Sequence, residues 1–257
     1  MAHNQDDGPT VRIGVFLPSG AQVLDTACVD IFGMMSIDYL GPIEGIPEPI
    51  KALAPRVTIA YIGSGDEDQK LIPMTAGMAV RATHHLSDPA VGPGELDVVL
   101  VPGPDPSLRW NPEVLDWLRA HAERPGTDIL SVCTGILLCG EAGLLRGRRA
   151  CGPRAMQKEI AKRFQGVRLV GEELRWVQDG NFWSSGGITN GNDLVAAYAL
   201  QSDQFPRPLA EFVIKMAEVG DRPQAYRQGN TTFMLGFLWI ILKALVTGKR
   251  RRLEKAP

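Results

Sequence analysis

Apolar runs of strand length alternate along the chain with stretches whose apolar positions recur every three or four residues. VRIGVFL (11–17), VTIAYIG (57–63), LDVVLVPG (96–103) and DILSV (128–132) are near-continuous apolar runs, as expected of strands buried on both faces. AQVLDTACVDIFGMM carries Val23, Leu24, Ala27, Cys28, Ile31 and Phe32 at helical spacing. WNPEVLDWLRAHA (110–122) is amphipathic, with Asn111-Pro112 as its start signal. Residues 34–55 are rich in Gly, Pro and Ile and read as a long excursion, suited to a pocket wall or a dimer surface. IPMTAGMAVRATHHL (72–86) reads as one or two short strands with a turn. Further on, LRWVQDGNFWSS predicts a hairpin turned by Asp179-Gly180, followed by helices over ITNGNDLVAAYAL and PLAEFVIKMAEVG (208–220). The alternation predicts an α/β fold with a mostly parallel central sheet covered on both faces. Its boundaries are a disordered lead-in at 1–10, the α/β domain at 11–220, and a linker with an apolar C-terminal helix and basic end at 221–257.

Composition narrows the function classes. A net charge of −2 and a pI near 6.1 give no electrostatic case for nucleic acid. Four cysteines without paired spacing argue against a disulfide framework and a zinc site, and for a reducing compartment such as the cytoplasm. MAHNQDDGPT has the character of neither a signal nor a transit peptide. His84-His85, adjacent on a strand, would point to opposite faces, so a surface role is favoured over metal binding. No metal or cofactor is expected.

The chemistry concentrates in GTDILSVCTGILLCGEAGLLRGRR (126–149). DILSV has strand character; Ile136, Leu137, Leu138, Leu144 and Leu145 belong to a buried helix. Cys133-Thr134-Gly135 stands at the change of period with no turn residues before the helix. A cysteine in such an elbow is turned outward, at the positive end of the next helix, where a thiolate is stabilised. Cys133 therefore reads as a nucleophile, although free cysteines are often mere apolar fillers, as Cys28, Cys139 and Cys151 are expected to be. Asp25 falls at the start of the helix after the first strand. It is either an ordinary first-turn acid or a carboxyl group beside a strand-end pocket.

VFLPSGAQVLDTACVDIFG, DVVLVPG, SVCTGILLCGEAGLLRGRRA and SSGGITNGNDL together resemble the ThiJ/PfpI superfamily, related to class I glutamine amidotransferases. The resemblance runs from about Val11 to Gly220 and lies nearest the isonitrile hydratase-like members. It implies a flavodoxin-like α/β sandwich, Cys133 as nucleophile and Asp25 as the acid that hydrogen-bonds or protonates near it. It also implies a homodimer and a small electrophilic substrate. The Thr134 backbone N–H, with Gly135 following, would supply one oxyanion donor. The second donor of relatives follows the DVVLVP strand, where this chain has Gly103-Pro104. Proline has no N–H, so a donor at that position is lost. The histidine many relatives place after the elbow helix is also missing from ACGPRAMQ, which argues against a Cys–His triad. The reading that follows is a cofactor-free hydratase or lyase attacking an electron-poor carbon. The alternatives are a redox or reactive-carbonyl (glyoxalase-like) sensor and a specialised lyase or cyclase.

TTFMLGFLWIILKALVTG, from Thr231, is apolar all around a helix apart from Lys243, and KRRR (249–252) follows it. Eighteen residues at 1.5 Å each reach only ~27 Å, short of a ~30 Å hydrocarbon core. Two expectations stand side by side: a short anchor or membrane-dipping helix over 231–252 that leaves the domain in the cytoplasm, or a helix packed on the domain or in an oligomer interface.

Overall fold

The computed structural model describes residues 8–65 and 71–253, with residues 246–253 described by backbone alone. Most of the expected lead-in, residues 1–7, lies outside the described residues, as do the side chains of the basic run 249–252. A seven-stranded sheet forms the centre: β1 (Thr10–Phe16), β2 (Arg56–Gly63), β3 (His84–His85), β4 (Val98–Val101), β5 (Asp128–Val132), β6 (Trp176–Asp179) and β7 (Phe182–Ser185). Their spatial order is β6-β7-β5-β4-β1-β2-β3, and every pairing is parallel except the β6–β7 hairpin. The chain builds outward from β1 to β3, then returns to the other side of β1 with β4. The switch point, where such sheets leave a crevice for ligands, is therefore between β1 and β4.

Two layers of helix explain the continuous apolar strands. Successive residues of β4 point to opposite faces: Val98 and Leu100 join one buried cluster, Val99 and Val101 the other. Helices α2 (Pro112–Ala122) and α3 (Gly135–Glu141) cover the second face with Trp117, Leu118, Ile136 and Leu137. Helices α4 (Asn190–Gln201) and α5 (Arg207–Met216) cover the first with Leu194, Tyr198, Leu209 and Val213.

Three sequence expectations change in detail. The helix expected over 21–35 is a chain of short turns, beginning with α1 (Val23–Thr26) and continuing through Ala27–Val29 and Asp30–Gly33. The excursion after it contains two single helical turns, Ile37–Leu40 and Glu48–Lys51. The segment expected to be a linker is pinned to the domain: Ala225 bridges Leu174, Arg175 N–H donates to Gln224 O at 2.7 Å, and Tyr226 N–H donates to Glu173 O at 2.8 Å. Helix α6 (Asn230–Leu253) then leaves the body, with Leu235, Trp239, Ile240 and Leu245 about 60% exposed. It is therefore not packed on the domain over that stretch. Among the described residues no helix is long and apolar enough to cross a membrane.

Candidate active site

Three strand ends bring the expected residues together. Val101 of β4 pairs with Ser131 of β5, and Ser185 of β7 pairs with Val132. Cys133 therefore leaves the sheet with Gly103 on one side and Gly186 on the other. Asp25 arrives on the single turn α1 after β1, whose preceding residue Gln22 donates its N–H to Gly103 O at 3.1 Å. Glycine is required at two of these positions by close approach alone. A Cβ on Gly103 would collide with Asp25 Oδ2 and Thr134 Oγ1, and one on Gly135 would collide with Val101 O.

Cys133 occupies the left-handed region, with φ 58°, between β5 and α3. A non-glycine residue there is strained by about 1–3 kcal/mol, a strain that persists only where the surroundings enforce it. The elbow does not open the sulfur to water, however. Cys133 is 6% exposed, and burial followed by the Asp25 charge pushes its thiol up to about 11. The thiolate expected from the helix end is thus outweighed by desolvation. Nearby N–H groups of Ile188 and Thr134 act the other way but more weakly.

Asp25 is fully buried, and burial raises its carboxyl from 3.8 to about 6. The Cys133 thiol and the N–H groups of Gly103 and Ile188 oppose that rise. Gly103 N–H donates to Oδ2 at 3.2 Å, whereas Oδ1 lacks a well-formed hydrogen bond, with the thiol and the Ile188 N–H bearing on the carboxyl at looser geometry. Gly103 N–H is thus directed at Asp25, and Pro104 has no N–H. Thr134 caps α3 without a side-chain cap bond, and its hydroxyl donates to Pro104 O at 2.7 Å, tying the two loops together.

The other cysteines are buried, with Cys28 and Cys139 pushed up to about 12 by burial. Among the described residues no cluster of three or more His, Cys, Asp or Glu could hold a metal ion. His84 and His85 lie on edge strand β3, beside a cavity of about 540 Å³ that neither Cys133 nor Asp25 lines. That cavity opens at the ends of β1, β2 and β3, so its size does not make it the reaction site. Sequence reasoning missed Ile188, which has φ 50° and whose N–H bears on both Asp25 and Cys133. The signal was the Gly186-Gly187 pair after a strand, which announces a tight loop but not what that loop faces.

The sequence profile of the DJ-1/PfpI family matches residues 33–200. The chain belongs to the DJ-1/PfpI family. An isonitrile hydratase of Pseudomonas putida is 34% identical over 170 residues, covering 65% of this chain and 66% of that protein, just under two thirds of its length. Among solved structures, a ThiJ/PfpI family protein from Pseudomonas syringae superposes with TM-score 0.65 at 20% identity, covering 100% of this chain and 96% of that one. Schizosaccharomyces pombe DJ-1 superposes with TM-score 0.61 at 16% identity, covering 83% and 100%. At those identities the structural matches establish the flavodoxin-like fold of this DJ-1/PfpI chain and nothing of its chemistry.

Proposed function

We propose that the protein is a cofactor-free hydratase that adds water to an isonitrile, with Cys133 as nucleophile and Asp25 as the group that moves the proton. One observation carries this reading: a fully buried carboxyl held at about 6 beside a thiol in a strained strand-to-helix elbow. The likeness to the isonitrile hydratase supports the substrate class. At neutral pH the pair holds one proton, on sulfur. Asp25 accepts that proton as sulfur attacks the terminal isonitrile carbon, then returns it to the same carbon, giving a thioimidate in which R–N=CH is bonded to sulfur. Water adds to that carbon, and collapse expels the sulfur with a proton. The product is R–NH–CHO, so RNC and H2O are consumed and the thiol is restored. The thiol's attack builds no oxyanion, because the isonitrile carbon carries no oxygen until water adds in the later step. For that first step a single oxyanion donor is therefore less costly than it would be for attack on an amide or ester.

The raised thiol counts against the peroxide-sensing alternative, because the thiolate is the species that oxidises. Assay of p-nitrophenyl isocyanide with formamide product measured directly decides the matter. Turnover is expected from the native protein and loss of about a thousandfold or more from Cys133→Ala and Asp25→Asn. Native protein without turnover, or Cys133→Ala at native rates, refutes the reading. On family likeness the working assembly is a homodimer. The exposed helix α6 fits a dip into an anionic lipid leaflet, with its apolar turns surrounded by acyl chains and the basic run that follows in sequence at the head groups.

A further inference from the structure

The segment 221–229 does more than carry the chain out to α6. Arg222 reaches back to the start of α4 with its whole guanidinium: Nη2 donates to Thr189 O at 2.7 Å and to Asp193 Oδ2 at 2.5 Å, and Nη1 donates to Thr189 Oγ1 at 3.1 Å. Tyr226 is held between two guanidinium groups, 4.2 Å from that of Arg154 and 4.4 Å from that of Arg175. Its hydroxyl accepts from Asn190 Nδ2 at 2.9 Å and lies where a Cβ on Gly186 would stand. Arg175 closes the ring: Nη1 donates to Asn190 Oδ1 at 3.4 Å, its backbone N–H donates to Gln224 O, and its C=O accepts from the Gly186 N–H.

Every one of these bonds ends on the stretch Gly186–Asp193 or on its immediate support. Ile188, in the middle of that stretch, is the residue whose backbone bears on Cys133 and Asp25. It holds a left-handed conformation unfavourable to a β-branched side chain, so something outside the loop must keep it there. Just beyond it, Gly191 approaches the side chain of Val132, the residue before the nucleophile, and leaves no room for a Cβ. Loops with few apolar contacts and exposed backbone bonds open first; here polar tethers replace apolar packing.

We propose that Arg222 and Tyr226 are positioning residues: by tethering Thr189 and Asn190 they hold the Ile188 loop across Cys133, keeping the thiol dry and the Ile188 N–H in register with the nucleophile and its carboxyl. This deepens the hydratase reading and rests on it for the catalytic half of the test alone. Freed from its tether, the loop admits water to the sulfur. The thiol then becomes more reactive towards a general electrophile while the reaction that needs the closed loop slows. Loss of fold stability by itself does not produce that opposite movement in a protein that is still folded.

Iodoacetamide labelling of Cys133, followed by intact mass at 25 °C, reads the first half; turnover of p-nitrophenyl isocyanide reads the second. Arg222→Ala is expected to speed labelling about tenfold and to lower kcat about tenfold, with KM changed less. Tyr226→Phe, a milder change that removes only the hydroxyl, is expected to move both in the same directions by a smaller factor. Arg12→Ala serves as the control for mere destabilisation, because Arg12 pairs with Asp97 and Glu95 below the opposite end of β1 and is expected to leave both rates native. Labelling of Arg222→Ala at the native rate, or a matching acceleration in Arg12→Ala, overturns the proposal. If no variant or native protein turns over the isocyanide, the labelling result still tests the tether, and only the hydratase reading falls.

Discussion

At the scale of single residues, the protonation of two side chains decides the chemistry. With Asp25 at about 6 and Cys133 at about 11, the pair carries one proton across the neutral range. The carboxyl can take the thiol proton only when ionised. Turnover is therefore expected to fall as pH drops through about 6 and to stay level up to pH 9. A pH series of kcat/KM checks this, and an activity that instead declines above pH 6 would assign Asp25 the role of a standing acid. The position of Cys133 was legible because the apolar period changes from strand to helix around Cys133-Thr134-Gly135 with no residues between. Its state was not. A helix end and an elbow predict a thiolate, but burial in the folded site, joined by the charge of Asp25 from far away in sequence, overrides the local dipole. Pro104 was legible as a missing donor, whereas the use of the Gly103 N–H on Asp25 needed the coordinates.

At the scale of elements, the central strands were readable because both of their faces are covered, which leaves apolar runs with little interruption. Strand β3 was harder: it is two residues long, pairs only with β2 and carries half-exposed histidines, so no period marks it. Helix α6 poses the opposite problem. Its sequence announces a helix clearly, but an all-round apolar helix needs cover, and among the described residues the body supplies it near the start alone, where the Arg154 guanidinium lies 4.8 Å from the Phe233 ring. Exposed Phe237, Leu238, Trp239, Ile240, Ile241 and Leu242 are consecutive, so they cover more than one full turn and leave no polar side. One neighbouring helix covers a single stripe of such a cylinder, whereas acyl chains would cover it all round. The full chain is expected to float with vesicles containing phosphatidylserine and to stay in solution with phosphatidylcholine alone, and a chain lacking 231–257 to bind neither. Equal behaviour of the two chains in flotation, with the full chain forming larger oligomers by sedimentation, would make α6 a self-association element instead.

At the scale of the whole molecule, the fold holds opposing titrations whose balance sets its stability against pH. Asp25 ionises less readily in the fold than in the unfolded chain, so its contribution is fully present below about 3.8 and is lost as pH rises through about 6. Keeping that carboxyl ionised in place then costs roughly 3 kcal/mol, a large share of the 5–15 kcal/mol typical of a domain. His121 works in the other direction. It is fully buried against Trp117, the ring centroids 3.8 Å apart, with Nδ1–H donating to Trp117 O at 2.9 Å, Nε2 without a well-formed hydrogen bond, and the Gly92 and Val91 backbone bearing on the ring more loosely. Burial lowers its pKa, so its contribution is present above the unfolded value of about 6.5 and is lost as pH falls through the folded one. The two effects oppose each other just below pH 6 and partly cancel in the native protein, so a single melting curve conceals both. Asp25→Asn separates them: relative to the native protein, its Tm is expected to gain steadily from pH 4 to pH 6 and to hold that gain at pH 8, even as turnover is lost. What remains in the variant is the histidine limb, seen as a decline in Tm on acidification below about pH 6.5. A Tm difference between the two proteins that does not change with pH would show that the fold does not raise the carboxyl, and the fall in turnover expected near pH 6 would then have to lie nearer the ordinary carboxylate value of 3.8.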